Sequence, residues 1–339
     1  MKALFNKVRR CIVIASFGVG LPSIAWAATD LSVRLDWTPW AVQAPFHLAM
    51  QKGWFKAAGL NVRMEDGNGS VSTVQMLGAG DHFDVGHASL AAMMIGRDKG
   101  MPLKAIAPFM TRTDIGALVP ADSDIKGPAQ LKGKKVLYTA GSLEAPFIDF
   151  FLKEGKLTRN DLDLLSVDAS AKAATYAVGR ADAVISTIPF IFPSVSRQRH
   201  SRALPFSDYG LDMVSFGLFT SEQKLQEKKD AIAKFASIVA YGWQYILNGH
   251  ESEAVDAIVA QRPQARLDKA ILAEQLEALK PYFPTSKEQA VGAVNPEDFE
   301  KSVSTLHKVG SIGSRLDPEE YYVKDLVRPV ETIAPEIVK

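Results

Sequence analysis

LSVRLDWTPWAVQAPFHLAMQKGWFKAAGLNV, residues 31–62, reads as a strand, a turn, a helix and a second strand. LSVRLDW (31–37) alternates apolar and polar residues, the period of a half-buried strand. APFHLAMQKGWFKAAG brings Phe46, Ala49, Met50, Trp54 and Phe55 to helical spacing, and Gly59 suits the left-handed position that closes a helix. NVRMED (61–66) is the next strand. Working outward, GNGS (67–70) is a turn, and Ser70 or Ser72 can cap the helix VSTVQMLGAG. FDVGHA (83–88) is a short strand, SLAAMMIGRDKG a helix and PLKAIAPFM (102–110) a strand. This β-α-β-α-β-α-β order implies a mostly parallel sheet with helices on both faces.

The pattern then restarts. IGALVPAD (115–122) is a connecting strand, and GKKVLYTA (133–140), LDLLSVD (162–168), ADAVIST (181–187) and RALPFS (202–207) are strand candidates. APFIDFFLKEG and AKAATYAVGR are the helices between them. From MVSFGLFTSEQ (213–223) the chain reads as helical almost to its end, with Ile232, Phe235, Ala236, Val239, Trp243 and Ile246 along one face. VQMLGAGDHFDVGHAS and TYAVGRADAVIST share one design: helix, Gly turn, acidic residue, short apolar strand, small polar residue. Asp84 and Asp182 take corresponding places in it. Two such halves suggest two lobes of similar fold.

Size and charge bound the rest. At 339 residues the chain is long enough for two domains. Its formal charge is +1, with 39 Lys and Arg against 38 Asp and Glu, so no electrostatic case exists for nucleic acid. MKALFNKVRR is a basic segment, followed by an apolar stretch ending in Ala25-Trp26-Ala27. That is the pattern of a secretory signal peptide, with cleavage expected after Ala27 and a periplasmic destination. The one cysteine, Cys11, falls within the signal segment. Disulfides, thiolate metal sites and a cysteine nucleophile are therefore excluded from the mature chain.

LDWTPW (35–40), LAMQKGWFKAAGLNV (48–62), GNGSVSTVQMLGAGDHFDVGHASLAAM (67–93), LKGKKVLYTAGSLEAPF (131–147) and GRADAVI (179–185) occur in this order. With these segments the chain resembles periplasmic substrate-binding proteins that serve ABC importers of nitrate, sulfonates, taurine and thiamine pyrimidine precursors. The resemblance implies an α/β, two-lobe periplasmic-binding-protein-like fold of type II, with a ligand cleft between lobes joined by two hinge strands. After a signal peptide at 1–27, lobe 1 would comprise 28–112 and 218–339, including the C-terminal helices. Lobe 2 would comprise 113–217. It also implies a small-molecule ligand, an importer permease in the inner membrane as partner, and a monomer.

In open α/β sheets ligands bind beyond the carboxyl ends of the strands. DWTPW, GNGSVS, GHAS, AGSLEAPF and ISTIPF all follow a predicted strand. Trp37 can stack on a planar ligand or plug the core, and Trp40 has the same two roles open. Asp36 can accept from ligand NH groups or cap a turn. Ser70 and Ser72, with the backbone amides of a helix start, favour acceptor groups, or serve as ordinary caps. His87 faces the cleft or is structural. Gly141 and Ser142 make a turn, Glu144 can accept from an amino group or complement a helix dipole, and Phe147 can offer a ring. Thr187 and Phe190 complete the set, against a plain structural turn. The histidines show no H-x-x-x-H pair, so no zinc site is expected, and no Gly-rich phosphate loop with lysine is present.

Aromatic walls with a few polar groups suit reversible binding. No cofactor and no catalytic residue is expected. Fungal and plant relatives in the resembling family make the thiamine pyrimidine with a Cys-rich iron site, a motif this chain lacks. A sensory module that passes occupancy to a membrane partner is a third possibility. Aromatic residues with Asp36 and Glu144 point to a neutral or amino-bearing heteroaromatic such as a pyrimidine. Arg112, near a hinge, keeps a sulfonate or carboxylate open.

Overall fold

The computed structural model of this chain describes residues 28–80, 82–284, 289–313 and 316–338. The expected signal peptide, 1–27, lies outside the described residues.

Among the described residues, ten strands form two five-stranded sheets. β1 (Thr29–Arg34), β2 (Leu60–Glu65), β3 (Val85–Ser89) and β4 (Leu103–Pro108) belong to the first, with α1 (Ala44–Gln51), α2 (Trp54–Ala57), α3 (Ser70–Gly78) and α4 (Leu90–Asp98) between them. β5 (Ile115–Pro120), β6 (Lys135–Tyr138), β7 (Asp163–Ser166), β8 (Ala183–Thr187) and β9 (Ser201–Pro205) form the second. α5 (Ile148–Glu154), α6 (Lys172–Ala177) and α7 (Ile188–Val195) connect them. β10 (Phe216–Ser221) returns to the first sheet, and α8 (Glu222–Leu247), α9 (Glu251–Gln261), α10 (Lys269–Leu279) and α11 (Pro296–Lys308) follow. No helix among the described residues is long and apolar enough to cross a membrane.

The sheets run β2-β1-β3-β10-β4 and β7-β6-β8-β5-β9, the same order of parts. In each, the first three strands are parallel and one antiparallel strand is inserted next to the edge. That inserted strand is the one delivered by the crossing from the other lobe. The central strands β3, β8 and β10 are buried along their whole length, whereas the edge strands β2 and β7 are only partly covered. A strand covered on both faces needs a continuous run of small or apolar residues, and VGHAS, AVIST and FGLFTS supply it.

The internal echo has a structural counterpart. Asp84 Oδ2 accepts the backbone N–H of Ser32 at 2.8 Å, and Asp182 Oδ2 accepts that of Lys135 at 2.8 Å. Asp84, just before β3, thus ties β3 to the middle of β1, and Asp182, just before β8, ties β8 to the start of β6.

Three expectations are corrected. FGLFTS was expected to open the helical tail but is β10; its apolar run is too uniform to show a period, and its partners β3 and β4 decide the conformation. The first strand ends at Arg34, so Trp37 lies in a bend rather than at a strand end. The helix after it breaks at Gly53, whose φ of 72° is left-handed, so Trp54 starts a new turn. Trp54 itself is buried against Tyr241 and Tyr245. The Ile232 to Ile246 stripe of α8 is buried as expected.

Two segments cross between the sheets, 109–114 and 206–215. They are tied by backbone bonds: Phe109 and Met110 donate to the Phe216 carbonyl, each at 3.0 Å, and Ser215 donates to that of Met110 at 2.9 Å.

Candidate ligand-binding site

The carboxyl ends of both sheets face one narrow cavity between the lobes, lined by Asp36, Trp37, Trp40 and Ser70 on one side. Ser142, Leu143, Glu144, Lys172, Ser186, Thr187 and Phe190 line the other. The free space is about 10 Å³, room for roughly one water.

On the lobe 1 side the bend 35–40 is held from below. Gly69 N–H donates to the Asp36 carbonyl at 2.7 Å, and Gly67 N–H to that of Trp37 at 3.2 Å. A Cβ on Gly67 would run into the Leu35 carbonyl, so only glycine lets the two loops approach. Gln43 Nε2 donates to the Trp37 carbonyl at 3.0 Å and closes the bend from the other end. The Asp36 carboxylate accepts the Trp40 indole N–H at 3.2 Å and lies 3.5 Å from Gln43 Nε2. Asp36 therefore fixes Trp40, whose ring meets Phe190 and Phe216 edge-on at 5.5 and 5.8 Å.

On the lobe 2 side, Ser142 Oγ donates to the Thr139 carbonyl at 2.6 Å and shapes the turn after β6. Glu144, just beyond it, pairs with the fully buried Lys172 ammonium, which stands 3.4 Å from the Ile185 carbonyl and 5.0 Å from the centre of the Trp37 ring. Burial pushes the Lys172 ammonium down from its ordinary range, and the Glu144 charge opposes that shift. Thr187, at the end of β8, donates to the Asp114 carboxylate. Ser215 of the second crossing donates to the same group. Asp114 is fully buried, and desolvation raises its pKa to about 6.

Of the residues singled out in the sequence, the structure brings Asp36, Trp37, Trp40, Ser70, Ser142, Glu144, Thr187 and Phe190 onto the cavity. Ser72, His87, Gly141 and Phe147 do not line it. His87 lies beneath, stacked on Phe216 with ring centres 5.4 Å apart and its Nδ1 3.3 Å from Asp36 Oδ1. Phe147 is fully buried in lobe 2. The helix-start amides expected to meet a ligand are already used: Val71 and Ser72 N–H groups donate to the Gly141 carbonyl of the other lobe at 3.0 and 3.4 Å. Nor does either serine cap α3, whose N-cap is Gly69; Ser70 Oγ instead accepts the Ser89 N–H at 3.1 Å. Arg112 is exposed and does not line the cavity.

Leu143, Lys172 and Ser186 were missed. Leu143 and Ser186 sit inside the segments already singled out. Lys172 carried one faint signal, as the only charged residue between Asp168 and Arg180. Nothing in that run shows that it is buried. Among the described residues no cluster of three or more His, Cys, Asp or Glu side chains could hold a metal ion.

The formylaminopyrimidine-binding protein of Halalkalibacterium halodurans is 22% identical over 75% of this chain and 77% of its own length. A 4-amino-5-hydroxymethyl-2-methylpyrimidine phosphate synthase of Saccharomyces cerevisiae is 29% identical over 33% of each chain. The alkanesulfonate-binding protein of Xanthomonas axonopodis pv. citri, solved with bound MOPS, superposes with a TM-score of 0.68 at 15% identity, over 88% of this chain and all of that one. Residues 40–253, which include the second sheet and most of the cavity wall, match the NMT1/THI5 like family, and the chain belongs to that family.

Proposed function

We propose that this chain is the periplasmic solute-binding component of an ABC importer and that its ligand is a small, neutral or amino-bearing heteroaromatic of the pyrimidine type. The make-up of the cavity carries this reading. Three aromatic rings, Trp37, Trp40 and Phe190, meet two carboxylates and one ammonium, with no arginine among the lining residues. The ammonium of Lys172 is already committed to Glu144. A sulfonate or nitrate would bring a full negative charge beside Asp36 and Glu144 with no free cation to receive it. A pyrimidine brings a flat apolar ring with acceptor nitrogens and amino donors, which suits a mostly apolar pocket with a few placed polar groups. The formylaminopyrimidine-binding relative supports the same ligand class.

The remaining parts of the proposal are an exported chain processed after Ala27, lobes divided as 28–112 with 218–339 against 113–217, an inner-membrane permease as partner, and binding without turnover. The yeast enzyme matches only 33% of this chain.

Calorimetric titration of the purified mature chain with formylaminopyrimidine and with MOPS tests the reading. Saturable binding of the pyrimidine, silence with MOPS, and pyrimidine recovered unchanged by mass spectrometry are expected. Binding of MOPS alone, or a new product, would overturn it.

A further inference from the structure

Trp40 and Trp37 stand three residues apart on the same bend, yet their indole nitrogens have different fates. Trp40 Nε1 donates to Asp36. Trp37 Nε1 is buried without any acceptor among the described residues, in a side chain only 6% exposed that lines the cavity. A buried N–H left unpaired costs free energy, so such groups in a binding site point to a partner that arrives with the ligand. Trp243 Nε1 is also unpaired, but it lies in the core between Phe109 and Phe283 and has no access to the cavity.

The surroundings of Trp37 narrow its role. The Lys172 ammonium lies over its ring at 5.0 Å, and Phe190 stands edge-on to it at 6.2 Å. Several other donors around the cavity have work already: Lys172 with Glu144, Thr187 with Asp114, Ser142 with the Thr139 carbonyl. The Trp37 indole N–H is buried among them with no acceptor. It is also a donor only, so it cannot be satisfied by an amino group.

We infer that Trp37 Nε1–H donates a hydrogen bond to an in-plane acceptor of the ligand, a ring nitrogen or a carbonyl oxygen, and that Trp37 thereby selects acceptor-bearing heteroaromatics over hydrocarbon rings of the same size. This rests on the pyrimidine reading above and adds a specificity-determining atom to it. A site built to hydrogen-bond its ligand rejects an analogue that lacks the group, because the buried donor is then left unpaired.

The test compares wild type with Trp37→Phe, which keeps an aromatic ring and removes the N–H. Calorimetric titration uses formylaminopyrimidine, whose ring nitrogens and formyl oxygen are acceptors. The expected result is a Kd raised about tenfold in Trp37→Phe, near the worth of one buried hydrogen bond, with unligated melting changed little. In wild-type protein carrying ¹⁵N-labelled tryptophan, the Trp37 indole N–H resonance, assigned by its contacts to Phe190, should move downfield at saturation. That second reading stands even if the variant does not fold. An unchanged Kd in the folded variant, or an indole resonance that stays put in saturated wild type, would overturn the inference alone. Absence of any pyrimidine binding to wild type overturns the proposed function, and this inference with it.

Discussion

At the scale of single residues, two buried titratable groups oppose each other. His47 is buried, with Nδ1 3.0 Å from Gln261 Oε1, and desolvation lowers its pKa from 6.5 to about 4. Asp114, between the crossings, is raised from 3.8 to about 6, with desolvation outweighing the bonds from Ser215 and Thr187 and the Glu144 charge adding to the rise. The folded state binds fewer protons than the unfolded at His47 between pH 4 and 6.5, so stability from that group is present above 6.5 and lost as pH falls. At Asp114 the folded state binds more protons between 3.8 and 6, so stability from that group is present at low pH and lost as pH rises through 6. Displacements of this size are each worth roughly 3 kcal/mol, so they nearly cancel in wild type. Melting curves from pH 7 to 4.5 should show Asp114→Asn losing stability toward acid more steeply than wild type, and His47→Asn less steeply; parallel curves for all three would refute the assignment. The buried Glu144–Lys172 pair yields another prediction. Lys172→Met strands a buried carboxylate and should cost about 3–5 kcal/mol in denaturant unfolding, while adding Glu144→Gln should restore most of it.

At the scale of elements, the start of α3 acts as a clasp. Its first amides grip the Gly141 carbonyl across the cleft, and Gly69, at φ 125°, lets the two loops touch. A Cβ on Gly69 would strike the Gly141 carbonyl and the Ser142 amide, both in lobe 2. Gly69→Ala should therefore act as a wedge that opposes closure, beyond the roughly 1–3 kcal/mol that this positive-φ backbone imposes on alanine. Ligand affinity should fall at least tenfold, and small-angle scattering should show a larger radius of gyration than wild type at saturating pyrimidine. Equal radii with equal affinity would show that the clasp is dispensable. Asp84 and Asp182 act at the opposite ends of their sheets, joining β1 to β3 and β6 to β8, and so have no part in this closure.

At the scale of the whole molecule, the lobes meet closely around the site. Gln275 of α10 donates to the Phe190 carbonyl at 3.2 Å and accepts the Ala41 N–H at 3.1 Å, so it links helix α7 of lobe 2 to the chain just beyond Trp40. A cavity of about 10 Å³ does not admit a pyrimidine, so the lobes must part before a ligand enters. Entry through a less populated open form reduces the apparent affinity by its fraction. The rate of tryptophan-fluorescence change in stopped flow should therefore reach a plateau as formylaminopyrimidine is raised. A rate that climbs linearly to high concentration would mean that the cleft is open to ligand without a preceding step.

The sequence by itself determined the local units. Nine of the ten strands were legible because each is a short apolar run bounded by Gly, Pro or polar residues. Most of the order of helices and strands and the buried stripe of α8 followed from periodicity, and the Asp84 and Asp182 design from an internal repeat. Most of the cavity wall was legible for a topological reason, since loops at the carboxyl ends of parallel strands converge. What only the tertiary structure decided is everything that depends on the partner across a gap. β10 is a strand because β3 and β4 flank it. The α3 amides are filled because lobe 2 presents a carbonyl there. Lys172, one lysine in an alanine-rich helix, is buried because Glu144, 28 residues earlier, reaches it. His87 and Phe147 belong to segments of the right kind yet sit behind the wall, since alternation along the chain fixes a residue's element but not its depth. Local sequence sets backbone conformation and which residues share a face; long-range packing sets which polar groups are spent on the fold and which, like the indole N–H of Trp37, are not.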